Sequence, residues 1–145
     1  MCSMINSLGH VGLGVRNIEQ SLKFYRDIMG MEVLMELNIT DDRIARVIGI
    51  SDAQCRIAHL KLGDGILELF EYSSPIGINR AKDMQQCDCG LIHIGFEVNE
   101  FHKHVAQFKE MGFEFLGEPV EFRPGVWVVY LRGPDGEVIE LRQRP

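Results

Sequence analysis

A chain of 145 residues, 46% hydrophobic and 25% charged, is ordinary globular material long enough for one shared core. A formal net charge of −6 with no Lys/Arg run argues against nucleic acid and anionic membrane surfaces as partners. Four cysteines (Cys2, Cys55, Cys87, Cys89) are too few for a disulfide framework, no stretch approaches the roughly 18 apolar residues of a membrane span, and the opening MCSMINSLGH has no leader pattern, so the expectation is a soluble, cytoplasmic protein with reduced thiols.

The stretch GHVGLGV, residues 9–15, reads as a strand. In NIEQSLKFYRDIMG, Ile18, Leu22, Tyr25 and Ile28/Met29 fall at helical spacing, with Asn17 as cap and Gly30 as stop. MEVLMEL is strand-like, and residues 40–54 hold room for a short Asp-capped helix. KLGDGILELFEY then predicts a hairpin with an Asp-Gly turn. Residues 73–90 are irregular, a natural boundary, and long enough to form a mobile cover. After them the pattern repeats. IHIGFEV reads as a strand, and NEFHKHVAQFKEMG as a helix with Phe101, Val105, Phe108 and Met111 between Asn99 and Gly112. FEFLGEP is strand-like and YLRGPDGEVIELRQ a second Asp-Gly hairpin. His10 aligns with His93, Gly12 with Gly95 and Val15 with Val98.

The fold expected is α+β. Two βαβββ modules form a curved eight-stranded mixed sheet around a metal-binding cavity, with helices on the outside. Module 1 spans about 8–72, the linker 73–90 and module 2 about 91–145, all within a single domain. Half a chain buries too little apolar surface to stand comfortably alone, so the modules share a core or pair across a homodimer.

Alternation along the strands separates two faces. Val11, Leu13 and Val15 oppose His10, Gly12 and Gly14, and Ile92, Ile94 and Phe96 oppose His93 and Gly95. Leu67 and Leu69 oppose Glu68, and Ile139 and Leu141 oppose Glu140. His10, Glu68, His93 and Glu140 thus form a two-fold-related set on the face away from the helices, with the glycines leaving room. Two carboxylates and two neutral imidazoles facing one space are most readily reconciled by a divalent cation. Nitrogen and oxygen donors suit Zn, Ni or Co, with Mn or Fe also compatible, better than Ca or Mg. Glu71 is a rival to Glu68 but lies on the leucine face. His59, His102 and His104 have no place in the repeat and read as surface groups, and CDCG reads as a reduced loop pair.

The stretches HVGLGVRNIEQSLKFYRDIMGMEVL, LELFEY, HIGFEV and GPDGEVIEL resemble the vicinal oxygen chelate superfamily, which includes glyoxalase I, bleomycin-resistance proteins, extradiol dioxygenases and methylmalonyl-CoA epimerase. The resemblance implies paired βαβββ modules. It also implies a metal held at the positions of His10, Glu68, His93 and Glu140, and a small substrate with two vicinal oxygens. A glyoxalase I-like lyase or isomerase is the activity implied, moving a proton through a metal-stabilised enediolate. Glu140 would be the catalytic base and Glu68 its pseudo-symmetric partner. An epimerase acting on methylmalonyl-CoA, or a non-catalytic protein binding a small molecule such as an antibiotic, are the alternatives.

Overall fold

The computed structural model describes residues 4–145, so Cys2 lies outside the described residues. The chain divides into two compact units, one ending at Ile78 and the other beginning at Asn79. The first holds β1 (Val11–Gly14), α1 (Ile18–Leu22), β2 (Glu32–Ile39), α2 (Asp42–Ile48), β3 (Gln54–Leu62) and β4 (Gly65–Ser74). The second holds β5 (Ile94–Glu97), α3 (Phe101–Glu110), β6 (Val120–Arg123), β7 (Val126–Arg132) and β8 (Val138–Gln143). The eight expected strands form two four-stranded mixed sheets, ordered β1-β4-β3-β2 and β5-β8-β7-β6. In each, the first strand runs parallel to the last and the other pairs are antiparallel.

Local chemistry sets the helix ends. The Asn17 side chain accepts from Gln20 N at 3.0 Å, and Gly30 takes φ +78° after a wider-turned continuation, Lys23–Ile28. Asp41 caps α2 by accepting from Arg43 N at 2.9 Å. Both major helices receive a side-chain acceptor from a neighbouring strand. Ile18 N donates to Glu71 Oε2 at 2.6 Å, and Phe101 N donates to Gln143 Oε1 at 2.9 Å. Each acceptor lies three positions beyond the glutamate singled out on its strand, so the capping device is repeated along with the sheet. It also explains Glu71: its carboxylate serves the N-terminus of α1, where an anion is favoured.

Each core forms where a helix meets the last strand of its sheet. Ile18 and Leu22 are buried with Leu67 and Leu69 in the first unit, and Phe101, Val105 and Phe108 with Ile139 and Leu141 in the second. Each such side chain contributes about 1.5–3 kcal/mol by leaving water. The second face of the first sheet carries α2, where Ile44 packs with Ala53, Cys55 and Ile57.

Three local expectations change. The cap of α3 is Glu100, at φ +52° and without a side-chain bond, rather than Asn99, and the side-chain acceptor at this helix start is Gln143, bonded to Phe101 N. The β3–β4 turn is Gly63–Asp64, one residue early, since Leu62 pairs with Gly65 and Gly63 supplies the positive φ of +56°. FEFLGEP contributes only a bridge from Phe115 to Leu131, and the regular strand is β6 further on. Gly117 and Pro119 interrupt the ladder between them, proline having no N–H to donate.

The irregular segment is fastened to the second unit. Asn79 Nδ2 donates to Asp135 O at 3.0 Å, and Arg132 Nη1 donates to Gly136 O at 2.7 Å and Ala81 O at 3.4 Å. No helix among the described residues is long and apolar enough to cross a membrane.

Candidate functional site

Strand register decides which side chains meet. Gly12 of β1 and His59 of β3 both pair with Glu68 of β4, so all three residues share one sheet face with His10, two positions before Gly12. Glu68 is 9% exposed although its neighbours Leu67 and Leu69 fill the opposite, helix-covered face. Its carboxylate lies between two imidazoles: Oε2 is 3.1 Å from His10 Nε2 and Oε1 is 3.1 Å from His59 Nε2.

The second unit repeats this arrangement with a different third group. Gly95 of β5 and Tyr130 of β7 pair with Glu140 of β8. His93 Nε2 lies 3.5 Å from Glu140 Oε2, and Tyr130 O–H donates to the same oxygen at 2.7 Å. Burial, together with the bond to Glu140 and its charge, pushes the Tyr130 phenol up to about 12, so it is a donor at any working pH. His93 Nδ1 lies 2.8 Å from Gln86 Oε1. Arg142 approaches Glu140 Oε1 only to 3.9 Å, because its guanidinium is bound to Glu97. For Glu97 itself, desolvation pushes the carboxyl up but is outweighed by the bonds from Arg142 and Arg144, and the net direction is down.

The structure therefore brings His10 to Glu68 and His93 to Glu140, as the alternation implied. Among the described residues no group of three or more His, Cys, Asp or Glu side chains converges to hold a metal ion. In the first unit Glu68 turns its two oxygens toward two different imidazoles, each at 3.1 Å. His59 is no bystander: its counterpart in the repeat is Tyr130, each lying directly across a hairpin from the glutamate. Counting back from each glutamate through its turn reveals the pair, but the two turns differ in length and the residue type changes. Gln86 gave no sequence signal. Cys55 is buried, and Cys87 and Cys89 are exposed free thiols.

The glycines opposite the carboxylates have a spatial role. A Cβ at Gly95 would sit 3.4 Å from Glu140 Oε1, and one at Gly12 would sit 3.6 Å from the Phe70 ring. A larger side chain at Gly95 would crowd the one carboxylate oxygen that Tyr130 leaves free.

The sequence profile of the Glyoxalase/Bleomycin resistance protein/Dioxygenase superfamily matches residues 7–141, both His–Glu pairs included. The chain belongs to this superfamily. It is 28% identical to the uncharacterized protein YwbC of Bacillus subtilis, over 97% of this chain and 100% of that protein. It is 25% identical to a lactoylglutathione lyase of Neisseria meningitidis, over 93% of this chain and 88% of the relative. The fold is shared with a glyoxalase family protein from Bacillus cereus at a TM-score of 0.88 and 22% identity, covering 98% of both chains.

Proposed function

We propose that this superfamily member is a divalent-metal-dependent lyase or isomerase of the lactoylglutathione lyase kind, acting on a small substrate with two neighbouring oxygens. The observation that carries the reading is the duplicated pair: a nearly buried glutamate facing an imidazole Nε2, at 3.1 Å in one unit and 3.5 Å in the other. A buried carboxylate beside a neutral imidazole is a costly arrangement in isolation and a natural one for a cation.

The donor chemistry fits such an ion. His10, Glu68, His93 and Glu140 would hold it, and two nitrogens with two carboxylates favour Zn, Ni or Co over Ca or Mg. When bound, the ion supplies Lewis-acid polarisation of the substrate oxygens. The chain's own groups handle the proton. Tyr130 occupies Glu140 Oε2 and leaves Oε1, beside the bare Gly95, as the oxygen that takes a proton from carbon and returns it. Glu68 is its pseudo-symmetric partner, held by His59. A cytoplasmic homodimer belongs to this reading, supported by the small size of each half.

The test is turnover with and without added metal. Protein purified without chelators is assayed on the methylglyoxal–glutathione hemithioacetal and then on methylmalonyl-CoA. Metal-dependent turnover of either supports the reading and chooses between lyase and epimerase. No turnover at any metal load, with stoichiometric capture of an apolar or cationic compound, makes the protein a binding module instead.

A further inference from the structure

The hydrogen bonds around Gln86 decide which nitrogen of His93 carries its hydrogen. Gln86 Nε2 lies 2.7 Å from the carbonyl oxygen of Ile92, which only accepts, so the amide NH₂ is oriented to that side. The other end, Oε1, faces His93 Nδ1 at 2.8 Å. An amide oxygen also only accepts, so Nδ1 must be the protonated nitrogen, and in a neutral ring the lone pair is then on Nε2.

That lone pair points at Glu140 Oε2 across 3.5 Å, longer than a hydrogen bond, while Oε2 takes its hydrogen from Tyr130 at 2.7 Å. Two acceptors therefore face each other across a gap that a cation would relieve. The first unit differs: His10 and His59 both turn Nε2 to Glu68 at 3.1 Å, within hydrogen-bond range, and no amide corresponding to Gln86 bonds either ring among the described residues. Gln86 is also well placed to act as a fixed support. Its segment is tied to the β7–β8 hairpin by Asn79, which donates to Asp135 O, and by Arg132, which donates to Ala81 O and Met84 O, so the amide belongs to the same frame as Glu140.

We propose that Gln86 is a positioning residue that locks His93 in the Nδ1–H tautomer and so presents the Nε2 lone pair to a divalent cation. The cation half of this statement rests on the proposed function; the tautomer half does not.

Long-range ¹H–¹⁵N correlation on the metal-free full chain reads the tautomer directly, at a pH about two units above the ordinary histidine value of about 6.5. His93 is expected to show a protonated Nδ1 and a bare Nε2. Gln86→Leu removes the acceptor and should abolish that bias, and Gln86→Glu, which keeps an accepting oxygen, should retain it. Titration with zinc alone should then show Gln86→Leu binding about 10–100-fold more weakly than the parent. An Nε2–H tautomer in the parent, or an unchanged tautomer in Gln86→Leu, overturns the proposal. Equal zinc affinity in parent and Gln86→Leu removes its positioning role. A parent chain that binds no zinc while its tautomer still follows Gln86 defeats the metal reading and leaves the lock standing.

Discussion

The two units use one sheet topology, one register and one helix-capping device, yet surround their glutamates differently. Glu68 sits between two imidazoles, each able to donate or accept as its tautomer allows. Glu140 sits between an imidazole and a phenol whose O–H donates to it, the phenol's titration pushed up to about 12 chiefly by burial. Repetition of the backbone thus fixes where a carboxylate lies, while the residue across the hairpin fixes what that carboxylate can do. Under this account Glu140 has one oxygen anchored by Tyr130 and one approached only by Arg142 at 3.9 Å, while each oxygen of Glu68 faces an imidazole at 3.1 Å.

The sharpest way to break the comparison is to remove the basicity of each carboxylate in turn. Glu140→Gln should lower turnover by about 10²- to 10⁴-fold while metal content, measured on the same preparation, is largely kept. Glu68→Gln should cost less in turnover at equal metal load. Equal losses from the two variants would make the halves functionally equivalent and remove Glu140 as the distinct base.

A smaller effect is expected at the third group. Tyr130→Phe deletes the donor to Glu140 and should cost about 10- to 100-fold in activity or metal affinity, the range for a group that orients a ligand. His59→Gln keeps a donor to Glu68 and should cost less. The reverse order, measured as kcat/KM on the same substrate, would mean that the anchored carboxylate is Glu68.

The shared caps offer a stability comparison. Glu71→Ala and Gln143→Ala each remove an acceptor at a helix N-terminus and should lower unfolding free energy by about 0.5–2 kcal/mol in urea titrations. The loss should be greater for Glu71, whose charge also complements the helix dipole.

The smallest effect concerns α2, which only the first unit has. The side-chain and backbone bonds from Arg43 hold the Asp41 carboxyl below its ordinary range. A depressed folded value means that its stabilisation is fully present above the ordinary value of about 3.9 and is lost as pH falls through the folded value. Asp41→Asn should therefore flatten the acid limb of the stability curve, and an unchanged limb would mean that the bond to Arg43 does not persist in solution.

Much of this was legible before the structure. Period-two alternation placed His10, Glu68, His93 and Glu140 on matching faces, and helical spacing with Asn17, Gly30 and Gly112 found both major helices, because these signals lie within one element. What escaped depended on partners distant in sequence. His59 and Tyr130 are defined by register across hairpins whose turns differ, Gly63–Asp64 in one and Gly133–Gly136 in the other. Gln143 supplies the side-chain acceptor at the start of α3, bonding Phe101 N from 42 residues away. Gln86 reaches His93 from an irregular stretch that has no periodicity to read.

The proposed function has His10, Glu68, His93 and Glu140 as ligands of a divalent ion, and metal content measures that proposal most directly. The parent chain, purified without chelators or reloaded with zinc, should hold about one ion per chain. At a hundredfold excess over Kd, the ion should stabilise the chain by about 2.7 kcal/mol against unfolding. His10→Gln and His93→Gln should each abolish most of that binding, although they lie in different units. A parent that takes up no zinc, nickel or cobalt and melts unchanged in their presence, or a site lost with His93→Gln but untouched by His10→Gln, would contradict it.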